Sequence, residues 1–177
     1  SELFAQEYAA AYGLQVVTNR CGVLAGPRQM GKVDQGFFAL WAARHLYGGA
    51  LSYQGFGGKG LQVRDVLHPE DLHELLKVQL SDLPRHAGAV YNVGGGAANA
   101  VSLLELSRLC AERGGAALSI GSRPETHPAD IPWYVTDNAD VTRATGWIPK
   151  RSVAGILDDV FDWLRAERAL LEPVFRG

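Results

Sequence analysis

The chain has 177 residues and a formal net charge of -2, with 47% hydrophobic and 20% charged residues. That composition excludes intrinsic disorder and a nucleic-acid binder working by bulk positive charge. It leaves length for one large domain or two small ones. The longest apolar runs are far below the roughly 18 residues that cross a bilayer. No basic-then-apolar leader is present, so no membrane partner and a cytoplasmic location are expected. Two cysteines, Cys21 and Cys110, cannot build a disulfide framework or a four-cysteine metal site, and both read as small buried residues. The 21 glycines exceed the usual share of about 7% and cluster where strands end.

In chain order, Ser1 and Glu2 suit a helix start, Leu3, Phe4, Tyr8, Ala11 and Tyr12 recur at helical spacing, and Gly13 closes the helix. Leu14 to Thr18 reads as a buried strand. An α/β sheet rarely opens on a helix, so part of the fold is expected to lie upstream or on another chain. Residues 22–31 form a glycine-rich loop. Asp34 caps a helix from Gln35 to Tyr47, which Gly48-Gly49 ends. Ala50 to Gln54 and Leu61 to Leu67 read as strands that a long connection could join as a hairpin. Pro69, Glu70 and Asp71 suit a helix start, with Leu72, Leu75, Leu76 and Leu80 on one face. Ala89 to Val93 is a strand running into three glycines. Ser102 caps a helix closed by Gly114-Gly115. Ala117 to Ile120 is a short strand, residues 123–132 are irregular and proline-rich, and Asn138 to Thr145 is a short helix. Ser152 caps a final helix with a Val153, Ile156, Leu157, Val160, Phe161 and Leu164 stripe.

Arginines outside helices are the informative charges, because a guanidinium offers a planar fork to phosphate or carboxylate. Arg20 ends a strand, Arg28 sits in a GPRQ turn, Arg64 lies inside a strand and Arg123 opens the proline-rich segment. An internal ion pair, for Arg64 with Asp65 or Asp71, competes with the ligand reading at each. Alternation puts Arg64 and Asp65 on opposite faces. His45, His68, His73 and His86 lack metal-ligand spacing. His127, near Asp130, could pair with it or meet a ligand. The glycines at 94–96 lack GxGxxG spacing and read as a tight structural turn. The four tryptophans read as core, with Trp133 and Tyr134 the candidates for stacking. No nucleophile and base are paired locally, so the residues alone support an anion-friendly α/β lobe.

Five segments in order, VVTNRCGVLAGPRQ, VDQGFFALW, GKGLQVRDVLHPEDL, YNVGGGAANAVSLLEL and PADIPWYVTDNADVTRATGWIPK, resemble the C-terminal half of an extended short-chain dehydrogenase/reductase. This is the NAD-dependent sugar-nucleotide epimerase/dehydratase family, and the likeness is nearest to its CDP-paratose 2-epimerase (CDP-tyvelose epimerase) branch. The resemblance implies an α/β fold that is the C-terminal part of a Rossmann-type enzyme, mainly its small substrate-binding lobe. Residues 1–26 would be the last helix and strand of an incomplete NAD-binding domain, and 27–177 the sugar-nucleotide lobe, with some segments returning to the Rossmann sheet. The family's glycine-rich NAD loop and YxxxK motif do not occur. SELFAQEY resembles the stretch after the catalytic lysine, so no catalytic residue is expected here. NAD would be held mainly by a missing N-terminal half, in cis or in trans, and the complete enzyme would be a homo-oligomer.

By the same resemblance, Cys21 and Gly22 fall beside the nicotinamide. Val23, Arg28, Gln29, Gln35, Arg64, Arg123, His127 and Asp130 fall at positions for a nucleotide-diphosphate sugar, with a CDP-sugar favoured. Arg28, Arg64 and Arg123 are expected to share one hollow. His127 stands three before Asp130, where an arginine is common, so Arg123 or His127 would replace that arginine.

Overall fold

The computed structural model describes residues 2–31, 36–115 and 118–176. The caps expected at Ser1 and Asp34, and the site residue Gln35, lie outside them. Helix α1 (Glu2–Tyr12) leads into β1 (Thr18–Cys21) and β2 (Val23–Leu24). Helix α2 (Phe37–Tyr47) is followed by β3 (Ser52–Gln54), β4 (Val63–Leu67), α3 (Pro69–Ser81), the short α4 (Leu83–His86) and β5 (Val90–Val93). Then come β6 (Ala100–Ser102), α5 (Leu103–Gly114), β7 (Gly121–Arg123), β8 (Trp133–Tyr134), α6 (Ala139–Thr145), α7 (Val153–Ala166) and α8 (Arg168–Arg176).

Among the described residues three small sheets result. β1 pairs with β5 in parallel. β4 pairs in parallel with β2 and β8 and antiparallel with β6. β3 pairs in parallel with β7. Thus β3 and β4 do not form the hairpin their adjacency suggested. The intervening turn, with left-handed Gly55, Gly57, Gly58 and Gly60, sends each strand to a distant partner. The first strand lies at 18–21 rather than 14–18, because Thr18 is where β5 begins to supply a ladder. Likewise the strand expected at 117–120 forms at Gly121–Arg123, where β3 provides the partner; Ala117 is outside the described residues.

The main core joins α2, α5, α7 and α8 through Phe38, Trp41, Leu106, Cys110, Ile156, Phe161, Leu171 and Phe175. A second cluster of Leu67, Leu75, Tyr91, Val93, Val141 and Trp147 lies under α3 and α6. α5 starts in the expected way: Ser102 Oγ accepts from Glu105 N–H, and the Glu105 carboxylate accepts from Ser102 N–H. α8 went unforeseen because Pro173 sits inside it; Leu171 and Phe175 nonetheless bury. Cys110 is buried and its thiol pKa is pushed up to about 12 by desolvation, whereas Cys21 is exposed, contrary to expectation, because it ends β1 at the exposed half of that strand. Three tryptophans are core, but Trp133 is 64% exposed. Among the described residues no helix is long and apolar enough to cross a membrane.

His45 and His68 are buried. Desolvation pushes both imidazole pKa values below the ordinary one. The Arg151 charge adds to this at His68, while Asp159, Glu70 and Asp71 oppose it. The unfolded chain therefore takes up protons near pH 6.5 that the fold resists. Stability from this source is present above about pH 6.5 and is lost as pH falls from there through the lowered folded-state values. Glu105, held low by the Ser102 N–H and hydroxyl, acts only in a more acidic window, below about pH 4.5. Urea midpoints should drop between pH 7.5 and 5.5, and His68→Asn should flatten that slope; a wild-type midpoint constant across this range would contradict the account.

Candidate functional site

One cavity of about 800 Å³ opens between α2 and the strands. Its α2 wall consists of Phe37, Leu40, Trp41 and Arg44, which are spaced i, i+3, i+4 and i+7 on one helix face. Opposite stand Ser52 and Gln54 from β3, Gln62 and Arg64 from the β4 region, and Ser122 and Arg123 from β7. Val23, Leu51, Val101 and Leu103 supply apolar floor, and Asp130 lies at the rim. Gln62 and Arg64 share a face because a strand alternates every two residues. Gln62 is held by donation from its Nε2 to the Gln54 carbonyl at 2.9 Å.

Arg64 is held by two side-chain hydrogen bonds. Its Nη1 donates to the Val63 carbonyl at 2.8 Å and its Nη2 to Asp130 Oδ1 at 2.8 Å. Asp130 Oδ1 also accepts from the Ile131 N–H at 2.9 Å. The partner is neither Asp65 nor Asp71. Asp65 points to the buried side, where Oδ2 accepts from Gly96 N–H at 2.9 Å, and Asp71 is occupied by Arg151. The Arg64–Asp130 pair leaves the guanidinium a fifth exposed, fixed in direction and still able to meet an anion.

Of the expected site residues, Val23, Arg64, Arg123 and Asp130 converge on this cavity. Arg28 does not line it, so the three arginines do not share one hollow. Arg28 is an exposed turn residue with φ 67°, a left-handed conformation that a non-glycine residue seldom adopts. Gln29 turns inward instead, its Nε2 donating to the Leu24 carbonyl at 2.9 Å. His127 does not pair with Asp130; its Nδ1 accepts from the Ala129 N–H at 3.2 Å. Cys21 and Gly22 end β1, and the Gly22 N–H donates to the Val93 carbonyl at 2.8 Å. Arg20, at the same end, pairs with Glu2. The glycines at 94–96 are structural: a Cβ at Gly95 would overlap the Val66 carbonyl, and one at Gly94 would overlap Thr136 and Asp65. Trp133 and Tyr134 are exposed but do not line the cavity.

The reading of the sequence missed Phe37, Leu40, Trp41, Arg44, Ser52, Gln54, Gln62 and Ser122. The spacing on α2 and the Gln62/Arg64 alternation were signals available for five of them.

The sequence model described as "NAD dependent epimerase/dehydratase family" matches residues 1–94. The chain is 31% identical over 159 residues to CDP-paratose 2-epimerase of Salmonella typhi, covering 89% of this chain and 47% of that protein. It is 30% identical over 177 residues to dTDP-glucose 4,6-dehydratase of Streptomyces griseus, covering 98% and 50%. Among solved structures, UDP-glucose 4-epimerase of Thermus thermophilus in complex with NAD superposes with a TM-score of 0.77 at 28% identity, covering 93% of this chain and 51% of that one. The chain spans about half the length of the curated relatives it matches. Its mixed α/β architecture with parallel strand pairs is that of Rossmann-type epimerases and dehydratases.

Proposed function

Because the chain belongs to the NAD dependent epimerase/dehydratase family, we propose that it is the substrate-binding half of an NAD-dependent sugar-nucleotide epimerase, acting at C-2 of a CDP-sugar. The observation that carries this reading is the cavity itself. Arg64, oriented by Asp130, and Arg123 lie opposite the Phe37, Leu40 and Trp41 side chains of α2, as a pyrophosphate flanked by ribose, base and sugar requires. The likeness to CDP-paratose 2-epimerase supports the CDP-sugar and the C-2 position.

The residues present fit only the edge of NAD. Cys21 is exposed at the carboxyl end of β1, beside the carboxyl end of β5, where ligands of open parallel sheets lie. A GxxGxxG loop and a YxxxK motif are not in the sequence. Hydride removal and return is the chemistry NAD supplies when bound; this chain's residues hold the diphosphate, aim the sugar towards Val23 and convert remote binding into orientation. The general base and most of the cofactor site belong to a second segment, in cis or in trans. The complete protein is a cytoplasmic homo-oligomer in this reading.

Calorimetry with CDP-glucose should show saturable binding to the 177-residue protein, with no epimerised product on adding NAD. Product should form once a segment carrying YxxxK is supplied. Turnover by the chain alone would overturn the division of labour, and failure to bind CDP-, UDP- or dTDP-sugars would overturn the binding role. Matches to dehydratases over 98% of the chain favour a second reading: loss of water from the sugar, rather than inversion at C-2, would establish it.

A further inference from the structure

A second, smaller hollow plays no part in the site described above. It is a groove of about 330 Å³ between α5 and residues 118–120, at the low end of the size range of small-molecule sites. On β3, Ser52 and Gln54 line the cavity and Tyr53 between them lines the groove, as strand alternation requires. Ser107 ties the partition together. Its Oγ accepts from the Trp41 indole N–H at 2.9 Å and from the Tyr53 hydroxyl at 2.8 Å, and donates to the Leu103 carbonyl at 2.7 Å. Trp41 and Leu103 line the cavity, while Tyr53 and Ser107 line the groove. With two bonds accepted and one donated, the Ser107 hydroxyl has nothing left to offer a ligand.

Leu104, Ser107, Arg108 and Ala111 form one wall, spaced i, i+3, i+4 and i+7 on α5. Tyr53, Leu118 and Ile120 form the other, so the sides are mainly apolar. Two polar groups remain. His45 lines the groove and is 3% exposed. Its Nδ1 lies 2.7 Å from the Trp41 carbonyl. A carbonyl only accepts, so Nδ1 carries the proton and Nε2 is an acceptor. Desolvation holds the imidazole neutral by pushing its pKa below the ordinary value, and no described residue donates to Nε2. Arg108 is exposed, and its guanidinium bonds to no described residue. The carboxylate of Glu105, on the same helix, is taken up by the Ser102 N–H and hydroxyl.

We propose that this groove is a second ligand site, for a small apolar carboxylate that carries a hydroxyl at its far end. The carboxylate meets the Arg108 fork at the rim. The hydroxyl donates to His45 Nε2 at the buried end. An ammonium there would have to leave water for apolar surroundings, which costs far more than a hydroxyl does. The inference is independent of the sugar-nucleotide reading, because the Trp41, Tyr53 and Ser107 side chains separate the two hollows.

The test is calorimetric titration of the full chain with 4-hydroxyphenylacetate and phenylacetate. Wild type should bind 4-hydroxyphenylacetate saturably, and phenylacetate about 3-fold or more weakly, the effect of one neutral hydrogen bond. Arg108→Gln, at an exposed helix position, should weaken 4-hydroxyphenylacetate by about 10-fold or more. Ala111→Phe fills the groove and should abolish binding; Leu118→Phe serves if that variant does not fold. Arg64→Ala, across the partition, should leave affinity for the acid unchanged. No saturable binding by wild type would overturn the inference, as would equal affinity for the two acids. Binding that survives Arg108→Gln or the folded groove-filling variant would overturn it too, and a loss in Arg64→Ala would place the acid in the cavity instead.

Discussion

Asp71→Ala is expected to destabilise the fold by about 3–4 kcal/mol. Asp71 is 2% exposed at the start of α3, and its Oδ2 accepts from the backbone N–H groups of Lys150 at 3.1 Å and Arg151 at 3.0 Å. Its Oδ1 accepts from Arg151 Nη1 at 3.1 Å. Alanine leaves two backbone donors without an acceptor, at about 1–3 kcal/mol each. The Arg151 side chain is a third exposed and also pairs with Glu70, so its own loss adds little. The Trp147 indole N–H, which donates to the Asp71 backbone carbonyl at 2.8 Å, is not directly removed. This junction ties α3 to the chain entering α7, about eighty residues later. Asp71→Asn retains an acceptor and should lose less. A urea-derived loss below about 1 kcal/mol for the alanine variant would show that water replaces the carboxylate at little cost.

Arg64→Ala is expected to weaken nucleotide-diphosphate sugar binding by about 1.5–3 kcal/mol, the range for a hydrogen bond to a charged group. That corresponds to roughly 10- to 150-fold in dissociation constant. Its effect on stability should be much smaller, because a partly exposed ion pair such as Arg64–Asp130 contributes about 0–1 kcal/mol. The two readouts separate the roles: a ligand arginine moves affinity and barely moves the urea midpoint. Unchanged affinity with an intact fold would mean that Arg64 only pins the 124–132 segment to β4. Asp130→Asn keeps the oxygen but removes the charge, and should weaken binding less than Arg64→Ala if Asp130 orients the guanidinium.

Much of the helical content was legible because it depends on local signals. Ser152 before the 153–164 stripe, Ser102 as a cap and Pro69 at a first turn act within a few residues, and each marks a helix present in the structure. Strands were legible only as apolar runs. Their ends shifted at 14–18 and 117–120 because a strand is defined by its partner, and those partners lie far along the chain. Buried cysteine is a sound expectation for Cys110, but at Cys21 the environment of the strand end decides, and burial raises even that exposed thiol's pKa.

Residue types and their order were enough to identify the family, to single out Arg64 and Arg123, which both line the cavity, and to show that no YxxxK motif lies within these residues. Tertiary structure alone decided that Arg64 pairs with Asp130, that Arg28 stands apart and that Arg44 joins the cavity. Helix caps and side-chain alternation are short-range and written into neighbouring residues. Which charge meets which depends instead on how β4 shares its edges among β2, β6 and β8, a competition among pairings that no local stretch of sequence resolves.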